Sequence, residues 1–174
     1  MARIKLTGDF AVLNDMVARL SNLEKVLPEI SRNAAEETLS LIRDGFQKQE
    51  DPYGENWKKK AFPDGRAVLV GKTARLRNGW HVKRANRSGF LVAPSVNYAQ
   101  YHQGGTGVHG PKGTRIKPKK ARALRFEAGG NTIFRRSVEG APKRKMIPDR
   151  GLPARWRDAL VDTAREVIES HLEP

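Results

Sequence analysis

The chain has 174 residues, enough for one domain with a true hydrophobic core and short for two. It contains no cysteine, which excludes disulfides, thiolate catalysis and cysteine-ligated zinc. No stretch approaches the ~20 apolar residues of a bilayer span. Met1–Leu6 lacks the apolar run of a signal peptide, so synthesis in the cytoplasm is expected, with no membrane partner. The net charge of +14 is concentrated: residues 106–150 hold 13 Lys or Arg against 3 Asp or Glu, a local excess of +10. Such a block seeks phosphates or acidic protein surfaces through contacts that weaken with salt. The plainer alternative is a solvated loop that keeps the protein soluble.

Residues 2–7 alternate in polarity and predict a short edge strand. Asp9 is placed to cap a helix through about Leu27, with Val12, Leu13, Met16, Val17, Leu20, Leu23 and Leu27 on one face. Pro28 suits the first turn of a second helix. This helix is expected to run to about Gln49 on an apolar face of Ile30, Ala34, Ala35, Leu39, Ile42 and Phe46, and to stop at Asp51-Pro52. A Pro-, Gly- and Lys-rich loop follows over 51–72, with Trp57, Phe62, Val68, Leu69 and Val70 as its anchors.

Residues 76–85 predict a strand, Asn86-Arg87-Ser88-Gly89 a turn, and Phe90–Ala93 the returning strand of a hairpin over 79–93. Residues 97–103 suit one helical turn carrying Tyr98 and Tyr101 on one side. The stretch 104–121 is too rich in Gly, Pro and Lys to expect packing. Residues 123–126 and 132–138 predict a second hairpin around Gly129-Gly130, and 139–150 a second basic loop. Pro153 starts a last helix whose apolar positions are Trp156, Leu160, Ala164, Val167, Ile168 and Leu172. The expected fold is a single α+β domain over 1–174. Two N-terminal helices and one C-terminal helix pack on a small antiparallel sheet of four to five strands, with extended basic loops at 104–121 and 139–150.

Three short motifs stand out, far apart in the chain. Phe46 and Gln49 lead into Asp51-Pro52-Tyr53-Gly54-Glu55-Asn56-Trp57, where Asp-Pro starts a turn, Gly54 permits positive φ and Trp57 pins the loop. On local chemistry alone this is a structured turn after a helix. Tyr98-Ala99-Gln100-Tyr101-His102-Gln103-Gly104-Gly105 follows the first hairpin. The spacing of His102 and His109 matches no metal-ligand pattern, and no acidic residue lies between Phe90 and Phe126, so a packed aromatic turn is expected rather than a metal site. Lys143-Arg144-Lys145-Met146-Ile147-Pro148-Asp149-Arg150 precedes the last helix, where Arg150 is placed to cap carbonyls or pair with a carboxylate.

In order and spacing these motifs resemble the phage virion morphogenesis family, the tail-completion proteins of Mu-like and P2-like tailed phages. The resemblance covers nearly the whole chain and rests on layout more than on long identical runs. The chain matches at Tyr98, Ala99, His102 and Gly105, and at Pro148 and Arg150. It departs at Gly151-Leu152-Pro153, where the family commonly has Pro-Phe-Leu-Gly, and at Leu76-Arg77-Asn78-Gly79-Trp80, where it often has Leu-x-x-Ser-Ile. The resemblance implies structural roles for Phe46, Asp51, Pro52, Gly54, Trp57, Tyr98, His102, Gly105, Pro148 and Arg150. It implies a virion protein of the tail end or neck, not an enzyme and without cofactor. Such a protein would form a homo-oligomeric ring, a hexamer by tail symmetry, that supports head–tail joining beside tail and connector subunits.

The residues placed to contact DNA in a ring lumen, or acidic neighbouring subunits, are Lys112, Arg115, Lys117, Lys119, Lys120 and Arg122, with Lys143, Arg144 and Lys145. The alternative is a free protein that binds nucleic acid without sequence preference through 106–150, although no helix-turn-helix or RNA-binding signature is present. Catalysis has little support: there is no nucleophile elbow, no phosphate-binding loop and no metal-ligand constellation for a nuclease.

Overall fold

The computed structural model describes residues 10–128 and 130–172. The strand expected over 2–7 and the cap at Asp9 lie outside the described residues, as do the side chains of Val12, Leu13, Met16, Leu20, Leu23 and Leu172. Helix α1 spans Phe10–Lys48, 39 residues, or about 58 Å at ~1.5 Å per residue. It is one helix where two were expected, because it passes straight through Pro28. An internal proline forfeits a hydrogen bond and crowds the preceding turn, at a cost of about 3 kcal/mol. Burial on both sides offsets this: Val26 lies before the proline, and Ser31, Ala34, Ala35 and Leu39 after it. Val17 and Leu27, expected on the buried face, are exposed.

The helix ends on Gln49, which is left-handed with φ 60°. The Glu50 N–H reaches back to the Gly45 carbonyl at 3.1 Å. This closure usually places glycine at the left-handed position. The terminator is therefore Gln49, ahead of Asp51-Pro52. Its side chain supports the conformation, since Nε2 donates to the Phe46 carbonyl at 2.6 Å and Oε1 accepts from Val68 N–H.

The strand expected from residue 76 begins only at Trp80. Helical turn α2, Arg75–Asn78, comes first and draws Leu76 into the core at 3% exposure. Strand β1, Trp80–Asn86, pairs antiparallel with β2, Gly89–Pro94, with a bulge between Val82 and Arg84. The turn is tightened by Ser88 N–H on Asn86 Oδ1 at 2.9 Å. Helix α3 spans Ala99–Gly104, followed by a 3₁₀ turn at Gly107–His109. Strands β3, Leu124–Ala128, and β4, Asn131–Arg135, form the second hairpin. β4 is shorter than expected, and Val138 bridges instead to Ile116.

The class is α+β, but the described strands form two separate two-stranded sheets rather than one sheet of four to five. The reason lies in side-chain character. β1 and β2 pack on α1, whereas β3–β4 presents Phe134 at 60% exposure on one face and leaves Phe126 and Ile133 only half-buried on the other. Helix α4, Ala154–Leu172, lies antiparallel along α1. Arg155 pairs with Asp44 at one end, and His171 Nε2 is 3.5 Å from Glu29 Oε2 at the other. The core joins Leu39, Ile42 and Phe46 of α1 to Trp57, Leu76, Trp80, Met146 and Trp156. Among the described residues no helix is long and apolar enough to cross a membrane.

Candidate functional site

The three sequence motifs meet in space. Asp51 is buried, and its Oδ1 accepts from Tyr53 N–H at 2.8 Å and Glu55 N–H at 3.0 Å. This turn, with Pro52 buried and Gly54 at φ 87°, swings Trp57 under Phe46, ring centroids 5.2 Å apart and edge-on. Trp57 Nε1 donates to the Lys145 carbonyl at 2.9 Å. The first motif therefore holds the third directly, across 88 residues.

The second motif holds it from the other side. Gln103 Oε1 accepts from Met146 N–H at 2.8 Å and Ile147 N–H at 3.3 Å, while Nε2 donates to the Ile147 carbonyl at 2.7 Å. The His102 carbonyl accepts from Arg144 N–H at 2.8 Å. A carboxamide is suited to this, since one side chain supplies both an acceptor and a donor to an extended backbone. Tyr53 completes the lock: its hydroxyl accepts from Asp149 N–H at 3.0 Å and Arg150 N–H at 2.8 Å. The Lys145 ammonium and the Arg150 guanidinium lie over its ring at 5.2 Å and 5.4 Å.

Two of the residues expected to meet phosphates or acidic partners serve this junction instead. Arg144 is buried at 8% exposure, and its guanidinium donates to the Lys58 carbonyl at 2.9 Å and the Lys59 carbonyl at 3.2 Å. Burial lowers its pKa. Lys145 pairs with Asp149 at 3.0 Å, and this hydrogen bond is the main reason the Asp149 carboxyl lies below its ordinary range. Arg115 is engaged with Ser137 Oγ at 3.2 Å and Glu139 Oε1 at 3.3 Å. Lys112, Lys117, Lys119, Lys120, Arg122 and Lys143 are exposed. Pro148 is half-buried, and Arg150 is exposed at the rim of the Tyr53 ring.

The two loops expected as extended arms are joined to each other over part of their length. Thr106 N–H donates to the Ala141 carbonyl at 2.9 Å, Ala141 N–H to Thr106 Oγ1 at 2.7 Å, and Val108 N–H to the Glu139 carbonyl at 2.8 Å. Gly107 makes this possible. At φ 62° it lies so close to the Glu139 carbonyl that a Cβ would collide with it. Gly105 is buried in the same crossing. Residues 111–122 form the exposed tip beyond it, pinned by the Ile116–Val138 bridge.

Tyr98 and His102 stack edge-on at 6.1 Å. His102 is half-buried, its Nδ1 is buried without a hydrogen-bond partner, and its pKa is lowered first by burial and then by the Arg144 charge. Among the described residues no group of three or more His, Asp or Glu is placed to hold a metal ion. Tyr53 and Gln103 are the residues whose importance the sequence conceals. Both lie inside recognised motifs, but nothing local tells that the amides they bind lie 43 to 97 positions away. No family model matches the chain, and neither does any curated protein or solved structure.

Proposed function

We propose that this chain is a structural, non-enzymatic protein of a tailed-phage virion, acting at the tail end or neck. It forms a ring, hexameric by tail symmetry, that completes the tail and supports head–tail joining beside tail and connector subunits. The observation that supports this most is the junction. The residues that carry the resemblance to the virion morphogenesis family, among them Asp51, Trp57, Gly105 and Arg150, are spent on locking three distant segments into one block. A rigid block with an exposed basic tip is suited to a ring subunit, which must keep its shape while offering charge to a neighbour or to DNA in the lumen.

Light scattering and native mass spectrometry across protein concentration and salt test the reading. A discrete hexamer, or a monomer that hexamerises on addition of tail components, supports it. A strict monomer that ignores tail components overturns it. The exposure of Lys112, Lys117, Lys119, Lys120 and Arg122 favours a second reading, sequence-nonspecific nucleic-acid binding through 106–150. Tight, steeply salt-dependent binding of short DNA by the monomer selects that reading over the first.

A further inference from the structure

Beside the junction lies a cavity of about 270 Å³ between the 68–71 loop, α2 and α3. Four basic side chains line it: Lys60, Arg75, His102 and Arg144. Val68, Val70 and Leu76 supply an aliphatic wall. Among the described residues no carboxylate lines it. Leu69 on its wall adopts left-handed backbone at φ 62°, and so does Ala74 at φ 48°, between the lining residues Thr73 and Arg75. Strain of this kind in non-glycine residues gathers at ligand sites.

The charges in the cavity are poorly matched. Lys60 is held by Asp64 at 2.6 Å, a pairing that keeps the Asp64 carboxyl down at about 2. Arg75 makes no ion pair among the described residues, and Arg144 has only backbone carbonyls for partners. A buried guanidinium without a counter-charge is unfavourable, and so is the unpartnered His102 Nδ1. A single anion would relieve the charge imbalance.

We propose that this cavity docks a carboxylate carried on a protein segment, held by Arg75 and Arg144, with an adjoining aliphatic group against Val68, Val70 and Leu76. The aliphatic wall suits a carboxylate borne on an apolar residue and gives nothing to a bare phosphate. The guanidinium fork of Arg75 can meet a carboxylate in two-point geometry, while Arg144, whose Nε and one Nη already donate to the Lys58 and Lys59 carbonyls, adds its charge. The proposal does not depend on where in a virion the chain acts, since the cavity belongs to the subunit itself.

The groups that face His102 here are Lys60, Arg75, Arg144 and Tyr98. Three are cationic, so an entering carboxylate favours the imidazolium and moves the titration of His102 upward.

The test is a ¹⁵N NMR titration of the full chain with N-acetyl-leucine, N-acetyl-leucinamide, inorganic phosphate and a short DNA duplex as separate probes. N-acetyl-leucine is expected to saturate in the millimolar range, to shift amides of 68–76, and to raise the titration midpoint of His102. The uncharged amide is expected to do none of this. Arg75→Gln, at an exposed position, is expected to weaken binding about tenfold with the spectrum otherwise unchanged. The proposal is overturned if the acid and the amide behave alike, or if Arg75→Gln binds as well as the parent. It is equally overturned if inorganic phosphate or DNA saturates the same amides more tightly than N-acetyl-leucine.

Discussion

Tyr53 and Arg150 are joined at both ends of one phenol. The Tyr53 hydroxyl accepts from Arg150 N–H at 2.8 Å and donates to the Arg150 carbonyl at 2.9 Å, while the guanidinium lies 5.4 Å from the ring centroid. One side chain thus fixes both the path and the charge of the segment that leads into α4. Tyr53→Phe removes the hydroxyl and keeps the ring. Because the site is partly open to water, the expected loss is about 1–2 kcal/mol. Urea unfolding should show a lower midpoint with an unchanged m-value.

Gln103 is the stronger lock because its partners are less exposed. Gln103→Leu leaves the Met146 and Ile147 amides without an acceptor, and Met146 is in the core. A cost of about 2–3 kcal/mol is expected. Gln103→Glu should also destabilise at neutral pH, since a carboxylate oxygen would then face the Ile147 carbonyl. Thermal unfolding of the two variants beside the parent checks both.

Gly107→Ala and Gly113→Ala form a matched pair. Both glycines have positive φ, 62° and 59°, but only Gly107 lies against another backbone, that of Glu139. Gly113→Ala should cost about 1 kcal/mol from conformation alone. Gly107→Ala should cost more and separate the two loops, seen as faster hydrogen exchange at the Thr106 and Val108 amides. Equal exchange in both variants would mean that the crossing does not hold the loops together.

His102 predicts a pH dependence whose sign is fixed by its surroundings. Burial and Arg144 lower its pKa below the ordinary value of 6.5, so the unfolded chain binds the proton more readily. Its contribution is complete above pH ~6.5 and is lost as pH falls through the lower folded-state value. Stability should therefore drop on acidification below about pH 6.5, before the carboxylates titrate. His102→Gln should flatten that slope; an unchanged slope would assign the dependence to other groups.

The exposed tip should separate binding from stability. Converting Lys117, Lys119, Lys120 and Arg122 together to Ala is expected to move the unfolding midpoint little, since exposed substitutions each fall within about 0.5 kcal/mol. The same variant should weaken salt-sensitive association with DNA or with acidic partners. A large loss of stability would show that the tip is part of the fold.

Features governed by neighbouring residues were legible in the chain itself. The turn at Asn86–Gly89, the periodic face of α4 with Trp156 and Val167, and the Asp51 turn depend on local steric and hydrogen-bonding preferences. Three outcomes depended on distant partners. Pro28 is a local reason to stop a helix, and only the burial of residues on both sides carries α1 through it. Arg144 sits in a run of basic residues that looks solvated, yet the carbonyls of Lys58 and Lys59 take it inside. Both hairpins are marked by local turn residues, Asn86–Gly89 in one and Gly129-Gly130 in the other, but β1–β2 packs against α1 and the two pairs stay in separate sheets. Local preferences amount to about 1 kcal/mol per residue, so wherever burial and long-range hydrogen bonds act on the same residue, tertiary structure decides its conformation.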